Sequence, residues 1–256
     1  VMDLTLATPV SGELKTGEDL YVSFKAPEQG RYAVSLKGLA DDVASTMTVT
    51  GGESQIKPSN NRYCSFVSNI NDVVTFKINV TSEASVKFNV EAELVNPEDI
   101  TANGAATVKV AETPAGYVKW YSYTAGETGK YVVKVSDSTT TVCNANKLTG
   151  SFNSNGALNE VTLTKGKIYY YALYYTTKPE KDVTFSITKA AANELNTEYI
   201  VDVSKLIANE NTYLSFTAPA DGRYVFTCDN PSVSAYTYVD IDLSLIHISE
   251  PTRPRL

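Results

Sequence analysis

Side chains that could do covalent chemistry are scarce in this chain and poorly spaced for it. The one histidine is His247, and the cysteines are Cys64, Cys143 and Cys228. With so little to work with, no Ser-His-Asp, Cys-His or histidine-based metal arrangement can be assembled. There is no G-x-S-x-G, no P-loop and no G-x-G-x-x-G. No cysteine belongs to a C-x-x-C pair, which speaks against a zinc site. The carboxylates are scattered over apparent loops and strand exteriors, a poor basis for the paired acids of glycoside hydrolysis. The chain is therefore expected not to be an enzyme. What it does carry is aromatic surface. Trp120 is the one tryptophan, and Ile168-Tyr-Tyr-Tyr-Ala-Leu-Tyr-Tyr175 puts rings on both faces of one strand. A row of exposed rings stacks sugars or grips proteins. Trp120, with outward tyrosines among Tyr169, Tyr171 and Tyr175, forms the candidate ligand-binding set. The competing reading is that tyrosine suits strands, and that the rings cover a neighbouring strand or, for Trp120, the module junction near Pro97.

These residues belong to a repeat. Tyr21-Val-Ser-Phe-Lys-Ala-Pro27 followed by Gly30-Arg-Tyr32 returns as Trp120-Tyr-Ser-Tyr-Thr-Ala-Gly126 with Gly129-Lys-Tyr131. It returns again as Tyr213-Leu-Ser-Phe-Thr-Ala-Pro219 with Gly222-Arg-Tyr224. A repeat at this spacing predicts tandem small domains. Apolar and polar residues alternate with period two, as in Val74, Phe76, Ile78 and Val80, or Val86, Phe88, Val90, Ala92 and Leu94. Each such run predicts a half-buried strand. Phe24, Tyr32, Val34, Phe76 and Phe88 should lie inside the first module. Tyr123, Tyr131, Val133 and Phe185 should lie inside the second. The Ala-Pro…Gly segments predict hairpin turns. Asp41-Asp42-Val43-Ala44 is read as a short helical piece. The expected fold is all-β: tandem antiparallel, jelly-roll-like sandwiches at 1–96 and 97–192, then a truncated third module at 193–242 that keeps the hairpin Tyr213–Cys228 and would be unstable alone.

Residues 243–256 break with the repeat. Leu243-Ser-Leu-Ile-His-Ile-Ser-Glu-Pro-Thr-Arg253 resembles a translated sequencing adapter, and the segment is read as a non-native tail. The other reading is a true C-terminal strand, given Leu243, Leu245, Ile246 and Ile248. Val1-Met2-Asp3 does not begin a signal peptide, and the chain is read as a gene fragment, so signals and anchors stay open.

Ala7-Thr8-Pro9-Val10-Ser11-Gly12-Glu13-Leu14, with Gly17-Glu18, Tyr21–Phe24, Ala26-Pro27 and Gly30-Arg31-Tyr32, resembles the bacterial pre-peptidase C-terminal domain and related β-sandwich repeats of surface proteins. The resemblance covers the first third of each module best. It implies a jelly-roll-like sandwich, secretion, and an accessory role beside a catalytic or adhesive partner. The family's acidic stretch after the second strand survives here as Asp41-Asp42. Those carboxylates could gather oxygen ligands for calcium, although a solvated acidic loop is the plainer reading and no cofactor is expected.

The net charge of −7 without a Lys/Arg stripe makes the chain a poor candidate for nucleic acid or anionic membrane, and neither is expected as a partner. No apolar run reaches membrane-spanning length. The expected role is a non-catalytic binding, adhesion or spacer region, extracellular or at the cell surface, whose partner would be a glycan or a protein. The alternative is the accessory tail of a secreted peptidase or glycosidase.

Overall fold

The computed structural model describes residues 1–100, 106–110, 114–155, 158–195 and 212–227. All regular structure among them is β. The chain divides into two compact units, Val1–Ala192 and Asn193–Leu256.

The first unit holds four sheets in two pairs. One sheet has the order β1 (Met2–Leu4), β3 (Leu20–Lys25), β8 (Val73–Thr81), β5 (Ala44–Thr50). Facing it is a sheet of β2 (Val10–Leu14), β9 (Val86–Leu94), β4 (Gly30–Lys37), β7 (Tyr63–Ser68), β6 (Glu53–Ile56). The second pair repeats this plan. Its first sheet runs β10 (Glu98–Asp99), β12 (Lys119–Thr124), β17 (Ile168–Tyr174), β14 (Thr141–Ala145), β15 (Asn153–Asn155). Its other sheet runs β11 (Ala106–Lys109), β18 (Thr184–Lys189), β13 (Gly129–Val135), β16 (Leu158–Leu163). In both pairs the short opening strand joins parallel, β1 on β3 and β10 on β12, and the other strand pairings are antiparallel.

Period-two alternation becomes burial directly, because successive side chains on a strand point to opposite faces. Phe24, Tyr32, Val34, Phe76 and Phe88 are buried in one core, where the ring centroids of Phe24 and Tyr32 lie 5.0 Å apart. Tyr123, Tyr131, Val133 and Phe185 are buried in the other.

The recurring Gly-x-Tyr has a local cause. The hydroxyl of Tyr32 donates to the carbonyl of Glu28 at 2.8 Å, and that of Tyr131 to Glu127 at 3.0 Å. In the third copy Tyr224 donates to Ala220 at 2.6 Å. Tyr32 and Tyr131 spend their rings on the core, and all three tyrosines spend their hydroxyls on the turn four residues back. The alanine before that turn is tied down in the same way twice: Asn71 donates its N–H to Ala26 O, and Gly166 donates to Ala125 O. Both donors need positive φ, 68° and 76°, which suits glycine and is tolerated by asparagine.

Asp41 and Asp42 form a turn instead of a helical piece, and Ala44 already begins β5. The reason is Arg62. Its buried guanidinium donates to the carbonyls of Leu39, Ala40 and Val43 and pins the loop as a single turn, closed by the Val43 N–H on Ala40 O at 3.1 Å.

Past the second sandwich, β19 (Ala192–Glu194) pairs with β20 (Tyr213–Ser215). The expected second arm of its hairpin is not a strand at residues 223–227. Phe216 instead packs edge-on against Tyr224 at 5.0 Å and Phe226 at 5.3 Å, with Tyr224, Val225 and Phe226 left exposed. Cys228 and residues 243–256, including His247, lie outside the described residues.

Candidate functional site

The aromatic residues singled out by sequence are not exposed. Trp120 and Tyr169 are 6% and 7% accessible, and Tyr171 and Tyr175 are 0% and 1%. Strand register explains two of them. Trp120 sits opposite Ala172, so it shares its face of the sheet with Tyr170, Ala172 and Tyr174. Tyr169 and Tyr171 take the other face and belong to the core of the second sandwich. Tyr175 lies just past the end of β17, where its carbonyl accepts the N–H of Gly116 at 2.6 Å. Trp120 does point away from the core of its own sandwich, but that outer face is covered by the first sandwich.

The cover is an aromatic and polar junction between the outer faces of β4 and β7 on one side and of β12, β14 and β17 on the other. Ala33, Ile56, Tyr63, Val95, Trp120, Cys143 and Ala172 are buried there together. The indole N–H of Trp120 donates to the hydroxyl of Tyr63 at 2.7 Å, and Phe152 meets the indole edge-on at 5.1 Å. Arg31 enters from β4 and is 1% accessible. Its guanidinium carbon lies 4.7 Å from the ring centre of Phe152 and 5.5 Å from that of Trp120, within cation–π range.

Its donors are also used. Nε donates to Leu148 O at 2.6 Å and Nη2 to Gly150 O at 2.8 Å, both in the second sandwich. Nη1 donates to Ser54 O at 2.9 Å and Ser65 Oγ at 3.3 Å, in the first. Arg31 forms no ion pair with a described carboxylate. Burial pulls the guanidinium down to about 10, so it stays charged at neutral pH. Burial also pushes the Tyr63 phenol far up, partly opposed by the hydrogen bond from Trp120.

A second anchor lies at the turn before β12. Asn60 donates to Ala115 O at 3.0 Å, and the Tyr117 hydroxyl donates to Leu36 O. Lys37 sits 4.3 Å from the centre of the Tyr117 ring. Gly116 has φ +80°, and a Cβ built there would fall 1.4 Å from Asn60 Nδ2, so a larger residue would strain the backbone and push the Asn60 amide off its bond to Ala115 O.

The two described cysteines are buried, and their thiols are held protonated. The Cys64 thiol is pushed up to about 12 by burial, and burial raises Cys143 as well. Among the described residues no group of three or more His, Cys, Asp or Glu side chains comes together. Asp41 faces solvent beside Arg62 at 3.9 Å. An open groove over β2 and β9 is lined by Ser11, Glu13, Lys37, Lys87, Phe88 and Asn89, and the one ring in that lining, Phe88, is buried in the core of the first sandwich. Among the described residues no helix is long and apolar enough to cross a membrane.

Arg31 is the junction residue that parity reasoning passed over, although it stands in the repeated motif. The usable signal was composition. Outward positions on β4 and β17 carry Ala33, Ser35 and Ala172, small residues where an exposed strand would place charge. No protein-family model matches the chain, and a search of the curated proteins gives no match.

Proposed function

We propose that this chain is a non-catalytic spacer segment of a secreted or cell-surface protein, built to hold other parts of that protein at a set separation. The observation that carries this reading is the junction. The richest aromatic surface of the first unit is spent joining one sandwich to the next, which leaves Trp120, Phe152 and Tyr63 unavailable for stacking a ligand. The resemblance of the repeat to pre-peptidase C-terminal sandwiches supports secretion and an accessory place beside a catalytic or adhesive domain. A binding or adhesive role is the second reading. It is favoured by Tyr21, which is 42% accessible on the open outer face of β3. Titration of the full chain with mucin and with an immobilised glycan panel separates the two. A spacer shows no saturable binding, and its Trp120 emission stays unchanged. Saturable binding abolished by Tyr21→Ala would overturn the spacer reading in favour of adhesion.

A further inference from the structure

Arg31 is a costly residue with which to glue two surfaces together. A buried cation loses its hydration, and a well-packed apolar side chain of similar volume often stabilises such a site more. What the guanidinium adds is direction. Its planar fork presents donors at fixed angles, so acceptors must be placed to match. Here they are placed on both sandwiches, with Leu148 O and Gly150 O on the far side and Ser54 O and Ser65 Oγ on the near side.

The near side is distorted to provide one of them. Ser54 has φ +49°, a left-handed conformation that a residue with a Cβ adopts at a cost. It lies in the register shift between Glu53 and Ile56 on β6, where a bulge re-aims the backbone. The hydroxyls of Ser54 and Ser151 then meet across the junction at 3.3 Å. A strained edge strand, three carbonyls and two rings all converge on one side chain.

We propose that Arg31 is an orientation latch: it holds the two sandwiches at one fixed angle, and without its fork the junction becomes a hinge. The latch gives the spacer reading its stiffness and rests on that reading only for its biological purpose. Two spin labels measure the angle directly. They are placed at Lys77→Cys on the first sandwich and Lys134→Cys on the second, in the full chain with its native cysteines replaced by alanine.

With Arg31 intact, the distance distribution should be a single narrow peak. Arg31→Met keeps most of the side-chain volume and removes the fork. It should broaden the distribution at least twofold and make Trp120 emission more accessible to acrylamide, with the β-sheet circular dichroism retained. Arg31→Ala should broaden it further. An Arg31→Met chain with the original narrow peak and a shielded Trp120 would overturn the latch. Loss of the β-sheet signal in both variants would also overturn it, because Arg31 would then be required for folding itself. Ligand capture by the chain would count against the spacer reading and leave these distances unaffected.

Discussion

The two sandwiches share one plan but treat the same outer face in opposite ways. On the first, the face of β3, β8 and β5 carries Tyr21 opposite Lys77, and Lys77 opposite Thr48. On the second, the matching positions of β12, β17 and β14 are Trp120 opposite Ala172, and Ala172 opposite Cys143. Tyr21 is 42% accessible and Lys77 pairs with Asp19 at 3.0 Å in solvent, whereas Ala172 is wholly buried. A lysine cannot be covered cheaply and an alanine can, so a single position separates a free face from a docked one. The interiors differ too. Val22, Phe24, Val74 and Phe76 in the first core are matched in register by Tyr121, Tyr123, Tyr169 and Tyr171 in the second. Every added hydroxyl must find an acceptor. Tyr121 reaches Lys109 O and Tyr169 accepts from Thr164 N, but the Tyr171 hydroxyl is buried without a partner.

Ala172→Lys would erase the difference between the two faces and should have the largest effect. It puts an unpaired ammonium into the junction, at a cost of about 3–5 kcal/mol. Chemical denaturation should show the loss, and Cys143 should become reactive to a thiol reagent while Cys64 stays protected. A variant as stable as the parent, with Cys143 still shielded, would mean that the face is not closed by packing.

Alkali should test the two cores next. Burial raises the Tyr123 phenol to about 12, with Tyr131 adding to the rise, and burial raises Tyr171 as well. A phenol raised in the folded state above its unfolded value near ~10 contributes stability that is complete below that pH. That contribution is lost as pH climbs through about 12. The chain should therefore unfold progressively over this window, and Tyr123→Phe should move the alkaline midpoint upward. An unchanged midpoint would place the sensitivity elsewhere.

Tyr171→Phe copies Phe76 into the second core. Removing a buried, unpartnered hydroxyl should stabilise the chain by on the order of 1 kcal/mol, read as a higher denaturation midpoint with unchanged slope. A loss of stability would reveal an acceptor, such as an ordered water, that the hydroxyl does use. The smallest effect belongs to Lys77→Ala, whose partner is an exposed carboxylate. Its melting temperature should match the parent, and a clear drop would show that this open face has a structural duty.

Much of the architecture was legible from residue order. Alternation placed Val74, Phe76, Ile78 and Val80, and Phe88, Val90 and Ala92, inward correctly because pleat parity is local, whereas Leu94 of the same run is exposed at the end of β9. The repeat located equivalent strands because the same turn chemistry recurs, with tyrosine closing each turn. The candidate site was not legible in the same way. Parity said that Trp120 turns away from its own core, and it does. Parity carries no information about whether another surface lies beyond. The assignment of Tyr169 and Tyr171 to that outer face failed because the run from Tyr169 to Tyr171 has rings at every position. Only pairing with β12 shows that the even-numbered residues join Trp120.

Sequence alone thus determined that the chain is built from strands, where the turns fall, and which side chains leave water within each sandwich. Those are consequences of interactions between neighbours along the chain or along a repeat. Tertiary structure alone decided that Arg31 meets Leu148 and Gly150, that Ser54 turns its carbonyl toward it, and that Trp120 is covered. The contacts from Arg31 to Leu148 and Gly150 join residues more than a hundred positions apart. They depend on the stacking of two finished sheets, and no short-range pattern encodes which finished face meets which.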